Sequence, residues 1–402
     1  MSLSFVLAGG GTAGHVNPLL STALALRERG CAVRAVGTSE GLEADLVPEA
    51  GVELSTIVRV PFPRRPDMDM LRFPVRYRRA VAQATEILGK AGADAVIGFG
   101  GYASTPVYRA AKALGVPVVV HEQNAKPGLA NRYGARFAEA VALTFDSTPL
   151  AARAGVTQTV GLPLRPAIAD LARTRARGAD APRLRAAERF DLDPGLPTLL
   201  VTGGSLGALH LNDVLTSGLP AIRRAGVQIL HLTGRGKDGA VRAALREAGG
   251  YGRYRVVDYL RGMEEAYAAA DLVLCRSGAG TVAELCALGL PGFFVPLPIG
   301  NGEQERNAAD VVAAGGAALV RDRDFDLTAF ERDVLPLVGD AARLEAMLTP
   351  LPEAVILRAF GVGNVPSRDP GLVDLLAAAV EAGTAVVVTS QCPDARVRLG
   401  HY

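Results

Sequence analysis

Short runs of apolar residues alternate along the chain with longer, alanine-rich stretches typical of helices. This alternation predicts an α/β fold in which helices wrap parallel sheets of buried strands. In the first half, strands are predicted at residues 4–8, 33–37, 94–98, 117–120 and 140–143. In the second half, they are predicted at residues 198–202, 227–232, 254–257, 271–275 and 293–296.

A glycine-rich turn follows one apolar run in each half and opens a helix-like segment. The first turn is Gly9-Gly10-Gly11-Thr12-Ala13-Gly14, and the second is Gly203-Gly204-Ser205-Leu206-Gly207-Ala208. A strand, a glycine turn and a helix together present backbone N–H groups and a helix N-terminus to an anion. The pattern predicts two Rossmann-like domains facing each other across a cleft, which suits an enzyme that joins a nucleotide-activated donor to a second substrate.

Three domains are predicted, at residues 1–162, 163–348 and 349–402. The first boundary is placed at a segment rich in proline and glycine, residues 161–166. The Ala/Arg-rich stretch at 171–189 is either a solvated helix or a flexible insertion, and the pattern alone does not decide.

Composition narrows the class of protein. The chain has 402 residues, of which 49% are apolar and 21% charged, and the formal net charge of +2 gives no argument for nucleic-acid binding. The four cysteines form no CxxC pair, which fits a reducing cytoplasm. No signal peptide and no span of roughly 18–20 apolar residues is expected. Any membrane association should therefore be peripheral.

His15 ends the first glycine turn, where a helix should begin. The partial positive charge of a helix N-terminus disfavours imidazolium, and a neutral imidazole in a cleft can accept a proton from an attacking hydroxyl. Alternatively, His15 only caps the helix.

Polar residues also follow two other strands of the first half. Gly98-Phe99-Gly100-Gly101-Tyr102 ends one strand, and His121-Glu122-Gln123-Asn124 ends the next. Open α/β sheets bind ligands at these carboxyl ends. Along the extended chain Glu122 and Asn124 share one side, and His121 and Gln123 share the other.

The second half contains two further polar turns. Arg276-Ser277-Gly278-Ala279 follows a strand and opens a helix that carries Glu284, so its N–H groups suit a diphosphate and Glu284 suits a ribose diol. Gln304 and Asn307 lie three residues apart on one predicted helix face, which suits sugar hydroxyls. The alternatives are a solvated helix glutamate and a plain capping turn.

Residues 59–79 form a basic and apolar stretch with seven arginines against two aspartates. Prolines in this stretch discourage a long helix. The mixture suits an anionic lipid surface, and it suits equally a solvated face over an ordinary core.

Together these motifs closely resemble the MurG family, which transfers N-acetylglucosamine (GlcNAc) to undecaprenyl-pyrophosphoryl-muramyl-pentapeptide (lipid I) in peptidoglycan synthesis. The resemblance covers about residues 1–345. It is carried by GGGTAGHVNP (9–18), GFGGYASTP (98–106), HEQNAKPGLANR (121–132), TGGSLGALHLN (202–212), CRSGAGTVAE (275–284) and PLPIGNGEQERNA (296–308).

The resemblance implies a GT-B fold and an inverting transfer of GlcNAc from UDP-GlcNAc to the 4-hydroxyl of the muramyl sugar, which gives lipid II. It implies a peripheral enzyme at the cytoplasmic face of the membrane, with no tightly bound cofactor and no protein-bound metal. It also favours the membrane interpretation of the basic stretch.

The resemblance further implies a role for each matching residue. His15, as the base, and Glu122 are the catalytic residues. Acceptor-side residues are Thr12, Gly14, Tyr102, Asn124 and Arg165. Donor-side residues are Gly204, Ser205, Tyr259, Leu260, Arg276, Ser277, Gly278, Ala279, Glu284, Gln304 and Asn307. Membrane-side residues are Arg64, Arg65, Met70, Leu71, Arg72, Phe73 and Arg76.

The chain departs from the family at two places. Leu206 stands where the family usually has glutamine, so a polar contact to a substrate is lost there. Residues 350–402 resemble instead the C-terminal domain of bacterial L-asparaginases and predict a strand, a helix at 371–382 and a strand. The threonine-bearing catalytic loops of asparaginases are absent from the sequence, so no amidohydrolase is expected.

Two other functions remain open at this point. One is a GT-B transferase with a soluble acceptor, against which the basic and apolar stretch argues. The other is a degenerate protein that binds a nucleotide sugar or a lipid, against which the retained His15, Glu122 and Glu284 argue.

Overall fold

The computed structural model describes residues 2–61, 68–204, 207–298, 302–340, 344, 347, 354–359 and 385–390. The chain forms two compact units, Met1–Leu344 and Glu345–Tyr402.

The first half of the larger unit is a parallel sheet with helices between its strands. Its elements are β1 (Ser4–Gly9), α1 (Ala13–Glu28), β2 (Ala32–Gly37), α2 (Glu43–Glu49), β3 (Glu53–Thr56), α3 (Met68–Ala91), β4 (Ala95–Gly100), α4 (Ser104–Leu114), β5 (Val118–Glu122), α5 (Leu129–Gly134), β6 (Ala140–Leu143) and β7 (Val156–Thr159). The strand order is β3-β2-β1-β4-β5-β6-β7. Every pairing in this sheet is parallel.

The second half repeats this construction. Its elements are α6 (Pro166–Ala176), α7 (Ala181–Phe190), β8 (Thr198–Thr202), α8 (Leu209–Ser217), α9 (Leu219–Ala225), β9 (Gln228–Leu232), α10 (Gly239–Glu247), β10 (Tyr254–Val257), α11 (Met263–Ala269), β11 (Leu272–Cys275), α12 (Ala279–Leu288), β12 (Gly292–Phe294), α13 (Glu303–Asn307), α14 (Ala309–Ala313), β13 (Ala317–Leu319), α15 (Leu327–Ala329) and α16 (Leu335–Gly339). Its parallel sheet has the order β10-β9-β8-β11-β12-β13.

Each sheet has one point where the strand order reverses, between β1 and β4 in the first and between β8 and β11 in the second. Loops leave adjacent strands in opposite directions there, so a crevice opens at the carboxyl ends of the strands. Both glycine turns predicted from the sequence follow these strands, after β1 and after β8. The topology therefore indicates two ligand-binding crevices, one in each half.

The predicted α/β class and all ten predicted strands are confirmed, with ends within two residues of the observed ones. The open question at 171–189 is resolved by two helices, α6 and α7, which bury Ile168, Leu171 and Phe190 against the second sheet. The predicted domain boundary near residue 162 lies between the end of β7 and the start of α6.

The expectation that prolines prevent a long helix in the basic stretch is wrong. Helix α3 runs for 24 residues and contains Pro74. Pro74 lies in the second turn, and the packing of Ala80, Ala84 and Leu88 in the core outweighs the one hydrogen bond that proline removes.

The smaller unit contains two described strands, β14 (Ala354–Ala359) and β15 (Ala385–Ser390). They pair in parallel, with Ala354 opposite Ala385 and Ala359 opposite Ser390. The helix predicted at 371–382 lies outside the described residues.

Candidate functional site

His15 lies at the reversal point of the first sheet, in the first turn of α1. Its Nδ1 is 3.0 Å from the Thr12 hydroxyl, and a Cβ placed on Gly100 would lie 3.2 Å from its ring. Burial is the largest influence and lowers the pKa of His15, although a hydrogen bond with the Gly10 backbone and the charge of Glu43 oppose it. His15 is thus neutral near pH 7, as a base at this position must be.

The turn that carries His15 is packed closely on both sides. A Cβ on Gly101, where φ is +82°, would lie 2.3 Å from the Gly10 carbonyl oxygen. Below the turn, the buried Glu43 accepts the Gly11 N–H at 2.8 Å. Sequence reasoning missed Glu43, and its one signal was the glycine-rich segment before α2, Gly37 and Gly41.

Glu122 ends β5 and is 1% exposed. Its carboxylate accepts the N–H groups of Asn124 and Gly128 at 3.0 Å each, and the Asn131 amide at 3.0 Å. Burial, the largest influence, raises the pKa of Glu122 against these hydrogen bonds. With both oxygens engaged, Glu122 shapes the loop after β5 in this structure and does not point into open solvent.

The side chains after β5 pair as their alternation predicts. Gln123 lies on the side of His121, where its amide nitrogen is 3.0 Å from His121 Nδ1. His121 Nε2 is 3.0 Å from the carbonyl oxygen of Gly161, in the segment that leads to the second half. His121 is therefore a structural link to the connection between the halves. Tyr102 lies nearby at the end of β4, partly exposed, with the Arg59 guanidinium 5.0 Å from its ring centre.

Asn307 joins the loop after β5 to the second half. Its Oδ1 accepts the Ala125 N–H at 2.8 Å, and its Nδ2 donates to Asn124 Oδ1 at 3.2 Å and to the Ser277 carbonyl at 3.4 Å. The side chain is 1% exposed. Two residues that were predicted as separate acceptor and donor ligands, Asn124 and Asn307, thus contact each other, so the two crevices are adjacent.

Glu284 is the centre of a polar cluster within the second half, which ties α12 to the start of α6. Its Oε1 accepts from Arg165 Nε at 3.1 Å and from Nη2 at 2.9 Å, and its Oε2 accepts from the Tyr267 hydroxyl at 3.1 Å. Burial, the largest influence, and the neighbouring Glu284 charge raise the pKa of Tyr267, which keeps its hydroxyl protonated as a donor. Arg165 and Glu284 were predicted on opposite substrates, and the structure brings them together.

The N-terminus of α12 faces open space at the reversal point of the second sheet. No described atom outside the helix backbone and the adjoining residues lies within 4 Å of a Cβ placed at Gly278 or Gly280. Gly278 caps the helix in an extended conformation ahead of Ala279. Backbone N–H groups and the helix dipole at such an end attract a phosphate.

The remaining predicted donor-side residues surround this end. Arg276 donates to the carbonyls of Val295 and Pro296 and pairs with Asp322, so it holds the neighbouring loop. The Ser277 hydroxyl donates to the Gln304 carbonyl at 2.9 Å, and Gln304 Oε1 accepts the Leu297 N–H at 2.9 Å.

The second glycine turn and the loop after β10 carry the other residues predicted on the donor side. Gly204 adopts a φ of +75° and its N–H donates to Thr202 Oγ1, while Ser205 and Leu206 lie outside the described residues. Tyr259 is partly exposed with the Arg235 guanidinium 4.3 Å from its ring centre, and Leu260 packs on the core.

The first turns of α3 carry the exposed part of the basic stretch. Leu71 is 73% exposed and Val75 is 70% exposed, and Arg72 is exposed beside them. Phe73 packs against the core and stacks on Tyr77 with ring centres 5.8 Å apart. Met70 is exposed and Arg76 half-buried, whereas Arg64 and Arg65 lie outside the described residues.

No described helix is long and apolar enough to cross a bilayer. Within the same residues, no group of three or more His, Cys, Asp or Glu side chains is arranged as a metal would require.

Two sheets of this kind, with their crevices adjacent, form the GT-B fold, and comparison with known proteins shows that the chain is a two-domain glycosyltransferase. The Glycosyltransferase family 28 N-terminal domain matches residues 5–143, and the C-terminal domain of that family matches residues 198–353. A crystal structure of Acinetobacter baumannii MurG superposes with a TM-score of 0.67 and 29% identity, over 87% of this chain and 94% of that one. UDP-GlcNAc 2-epimerase from Neisseria meningitidis, at 12% identity and a TM-score of 0.60, shares the fold alone.

Curated relatives define the family more narrowly. The UDP-N-acetylglucosamine–N-acetylmuramyl-(pentapeptide) pyrophosphoryl-undecaprenol N-acetylglucosamine transferase of Paenarthrobacter aurescens is 50% identical over 385 residues, 94% of this chain and 97% of the relative. The same transferase of a Nocardioides species is 51% identical over 344 residues, 85% of this chain and 91% of the relative. The chain belongs to this family of transferases, the MurG family.

The C-terminal end has a separate similarity. The Glutaminase/Asparaginase C-terminal domain matches residues 338–402, which confirms the resemblance expected from the sequence and begins it about 12 residues earlier.

Proposed function

We propose that this chain transfers GlcNAc from UDP-GlcNAc to the muramyl sugar of lipid I, producing lipid II. The contact of Asn307 with Asn124 and Ala125 carries this proposal, because it makes the crevice at the first glycine turn adjacent to the open end of α12. A transferase needs its two substrates side by side, and the relatives named above use these two substrates by name.

In the proposed reaction, the neutral ring of His15 accepts the proton of the acceptor 4-hydroxyl. The hydroxyl oxygen then attacks the anomeric carbon of GlcNAc from the face opposite UDP, so the configuration at that carbon inverts. The bond from the anomeric carbon to the diphosphate oxygen breaks, and UDP leaves with the electron pair. A positioned general base typically raises the rate by about 10²–10⁴-fold. Stabilisation of the charge that develops on the leaving diphosphate is usually the larger contribution to the rate.

Donor binding is assigned to the second half. The N–H groups at Gly278 and Ala279 would hold the diphosphate, whose charge grows as the bond breaks. Glu284 would accept from the ribose hydroxyls through lone pairs that Arg165 and Tyr267 leave, since each carboxylate oxygen has two. Gly204, Ser205, Tyr259 and Leu260 would complete the nucleotide site, and Gln304 would lie beside the sugar.

Acceptor and membrane binding are assigned to the first half. Thr12, Gly14, Tyr102 and Asn124 surround the crevice that would take the muramyl sugar. The exposed Leu71 and Val75 would enter the headgroup region of an anionic membrane, with Arg72 attracted to its phosphates, and this would place the enzyme peripherally at the cytoplasmic face. We expect the transfer to require no resident cofactor or protein-bound metal, and so to persist in excess EDTA.

The test is an assay of the purified full chain with UDP-GlcNAc and a short-chain lipid I analogue, following UDP release and lipid II by mass spectrometry. We expect one UDP released for each lipid II formed. UDP binding with no transfer would favour the degenerate binding protein, and transfer to a soluble sugar but not to lipid I would favour a different acceptor. Either result would refute the proposal.

A further inference from the structure

One buried carboxylate lies beneath the first glycine turn and has no part in the proposed chemistry. Glu43 is the first residue of α2 and is 1% exposed. Its Oε2 accepts the Gly11 N–H at 2.8 Å, while its Oε1 accepts the Thr38 N–H at 2.9 Å and the Thr38 hydroxyl at 2.8 Å. A buried carboxylate is tolerated when donors surround it. This one connects the turn after β1 to the segment after β2.

The backbone around Glu43 is built from glycines that leave room for it. A Cβ on Gly10, Gly37 or Gly41 would lie 2.3, 2.4 or 2.1 Å from an atom of the Glu43 side chain. No real Cβ approaches so closely, so a side chain at any of these positions would displace the carboxylate. Three separate positions in the sequence thus accommodate the same carboxylate, which is more than helix capping would require.

Gly10 is also held from the other side. A Cβ on Gly101 would lie 2.3 Å from the Gly10 carbonyl oxygen, so the turn after β4 packs directly on the first turn. Glu43 and the turn after β4 thus leave no room for a side chain at Gly10 or Gly101.

The position of Gly11 is transmitted directly to His15. Gly11 precedes Thr12, whose carbonyl accepts the His15 N–H at 3.1 Å and whose hydroxyl is 3.0 Å from His15 Nδ1. A shift of Gly11 therefore moves both contacts that orient the imidazole.

Glu43 is also charged at neutral pH. Burial, the largest influence, opposes ionisation, but the hydrogen bonds from Gly11 and Thr38 outweigh it and lower the pKa of Glu43.

We propose that Glu43 is a positioning residue for the transfer reaction: its carboxylate fixes the first glycine turn and thereby holds His15 where the acceptor hydroxyl must lie. The inference rests on the proposed function. Glu43 itself touches no reacting atom. Misplacement of a catalytic group by about 1 Å can cost about 10²-fold in rate.

The first test is Glu43→Gln in the full chain. Glutamine has nearly the same shape, but its NH₂ group must face either the Gly11 N–H or the Thr38 N–H, so one hydrogen bond becomes a repulsion. We expect kcat for lipid II formation to fall about 10- to 100-fold, while the Kd for UDP, measured by calorimetry, stays within about twofold of wild type.

Two matched variants separate positioning from stability. Thr38→Val removes the hydroxyl that bonds Glu43 and leaves the bond from Gly11 intact, so it destabilises the same cluster without releasing the turn. Asp45→Asn changes an exposed carboxylate two residues further along α2. We expect both to keep kcat within about threefold of wild type, at a temperature where urea unfolding curves show every variant folded.

A second measurement does not depend on activity. Hydrogen exchange of the Gly11 amide, followed by NMR, should be at least tenfold faster in Glu43→Gln than in wild type, with the amides of α12 unchanged. If Glu43→Gln does not fold, Glu43→Asp keeps the charge but is one methylene shorter, and its Gly11 amide should likewise exchange faster while kcat falls.

The proposal is overturned if Glu43→Gln keeps the wild-type kcat. It is overturned too if kcat falls as much in Thr38→Val as in Glu43→Gln. It is also overturned if the Gly11 amide exchanges at the wild-type rate in the substituted chain. Should wild type itself form no lipid II, the proposed function fails, and Gly11 exchange still decides whether Glu43 fixes the turn.

Discussion

At the scale of single residues, burial and hydrogen bonding set the charge of each group around the first crevice. His15 and Glu43 are close in space but respond in opposite ways. Burial dominates for His15 and keeps it neutral, whereas donors surround Glu43 and keep it ionised. The charge of Glu43 raises the pKa of His15, but burial of the ring outweighs it.

The His15 assignment predicts a rate loss and a pH profile. His15→Ala should lower kcat by about 10²–10⁴-fold with little change in donor affinity, because only the proton acceptor is lost. Since burial lowers the pKa of His15, the wild-type kcat/KM should hold at about pH 7–8 and decline at a lower pH than it would for an exposed imidazole, where the ring takes up a proton. A pH series of initial rates checks this, with His15→Gln as the isosteric control. Near-wild-type turnover by His15→Ala would exclude the base role.

The ribose assignment of Glu284 predicts that its replacement lowers the affinity for UDP. Glu284→Ala removes the carboxylate proposed for the ribose, and losing charge-assisted hydrogen bonds should cost about 1.5–3 kcal/mol, or roughly 10- to 150-fold in the Kd for UDP. It also leaves Arg165 and Tyr267 without their common acceptor, so stability should fall too.

Tyr267→Phe provides the control for this experiment. It removes the hydroxyl that donates to Glu284 but keeps the carboxylate, so UDP affinity should remain near wild type. Calorimetry with UDP measures the Kd of both variants and so tests whether Glu284 binds the nucleotide. Equal affinities for wild type and Glu284→Ala would contradict the ribose assignment.

At the scale of elements, the sequence predicted every central strand of the two large sheets and one edge strand, β10, whose residues are mostly apolar or aromatic. The three unpredicted strands, β3, β7 and β13, all lie at an edge of a sheet. Every residue of β7 is exposed and its sequence, VTQT, is mostly polar, so no apolar run marks it. Edge strands form because a neighbour offers them hydrogen bonds, which is information that a local pattern does not contain.

The site was predictable to the extent that its residues lie in glycine turns after strands. His15 was singled out for that reason, and Glu122 because it belongs to a run of polar residues that follows an apolar strand. The bonds of Asn307 to Asn124 and of Arg165 to Glu284 were not foreseen, because they join residues more than 100 positions apart. Glu43 was missed because its helix N-terminus carries no polar motif of its own, and its meaning depends on glycines from other segments.

The exposed apolar and basic residues of helix α3 predict membrane binding that depends on salt concentration. Its first turns expose Leu71 and Val75 beside Arg72, and Arg79 lies exposed on the same helix. Replacing Arg72 and Arg79 by Glu should abolish binding to vesicles with about 30% anionic lipid, because each basic residue near such a surface contributes about 1 kcal/mol and reversal adds repulsion. Wild-type binding should weaken as salt rises.

Vesicle sedimentation measures this binding. Arg246→Glu, an exposed charge reversal in α10 of the second half, is the matched control and should bind as wild type does. Binding that survives the double reversal in α3 would show that this face is only solvated.

At the scale of the whole molecule, the two Rossmann-like halves contact each other through loops at the carboxyl ends of their strands. Asn307 bonds the loop after β5, and Ser147 donates to Asp310 at 3.2 Å. Each contact is a small polar one, and interfaces of this kind permit relative motion of domains. The same loops that would bind substrates therefore also set how the halves approach, so substrate binding and domain closure should be coupled.

We expect the transferase to fold and to bind UDP without the asparaginase-like end of the chain. Residues Glu345–Tyr402 form a compact unit of their own, whereas every residue proposed for the donor, the acceptor and the base lies in Met1–Leu344. A chain that ends at residue 349 should therefore fold and bind UDP with a Kd within about twofold of the full chain. Calorimetry with UDP and urea unfolding of both chains test this, with Glu284→Ala in the shortened chain confirming that the measured binding is at the same site. If the shortened chain unfolds or loses UDP binding, the end of the chain belongs to the core of the transferase. The similarity to asparaginases would then mark a segment that this enzyme has come to need.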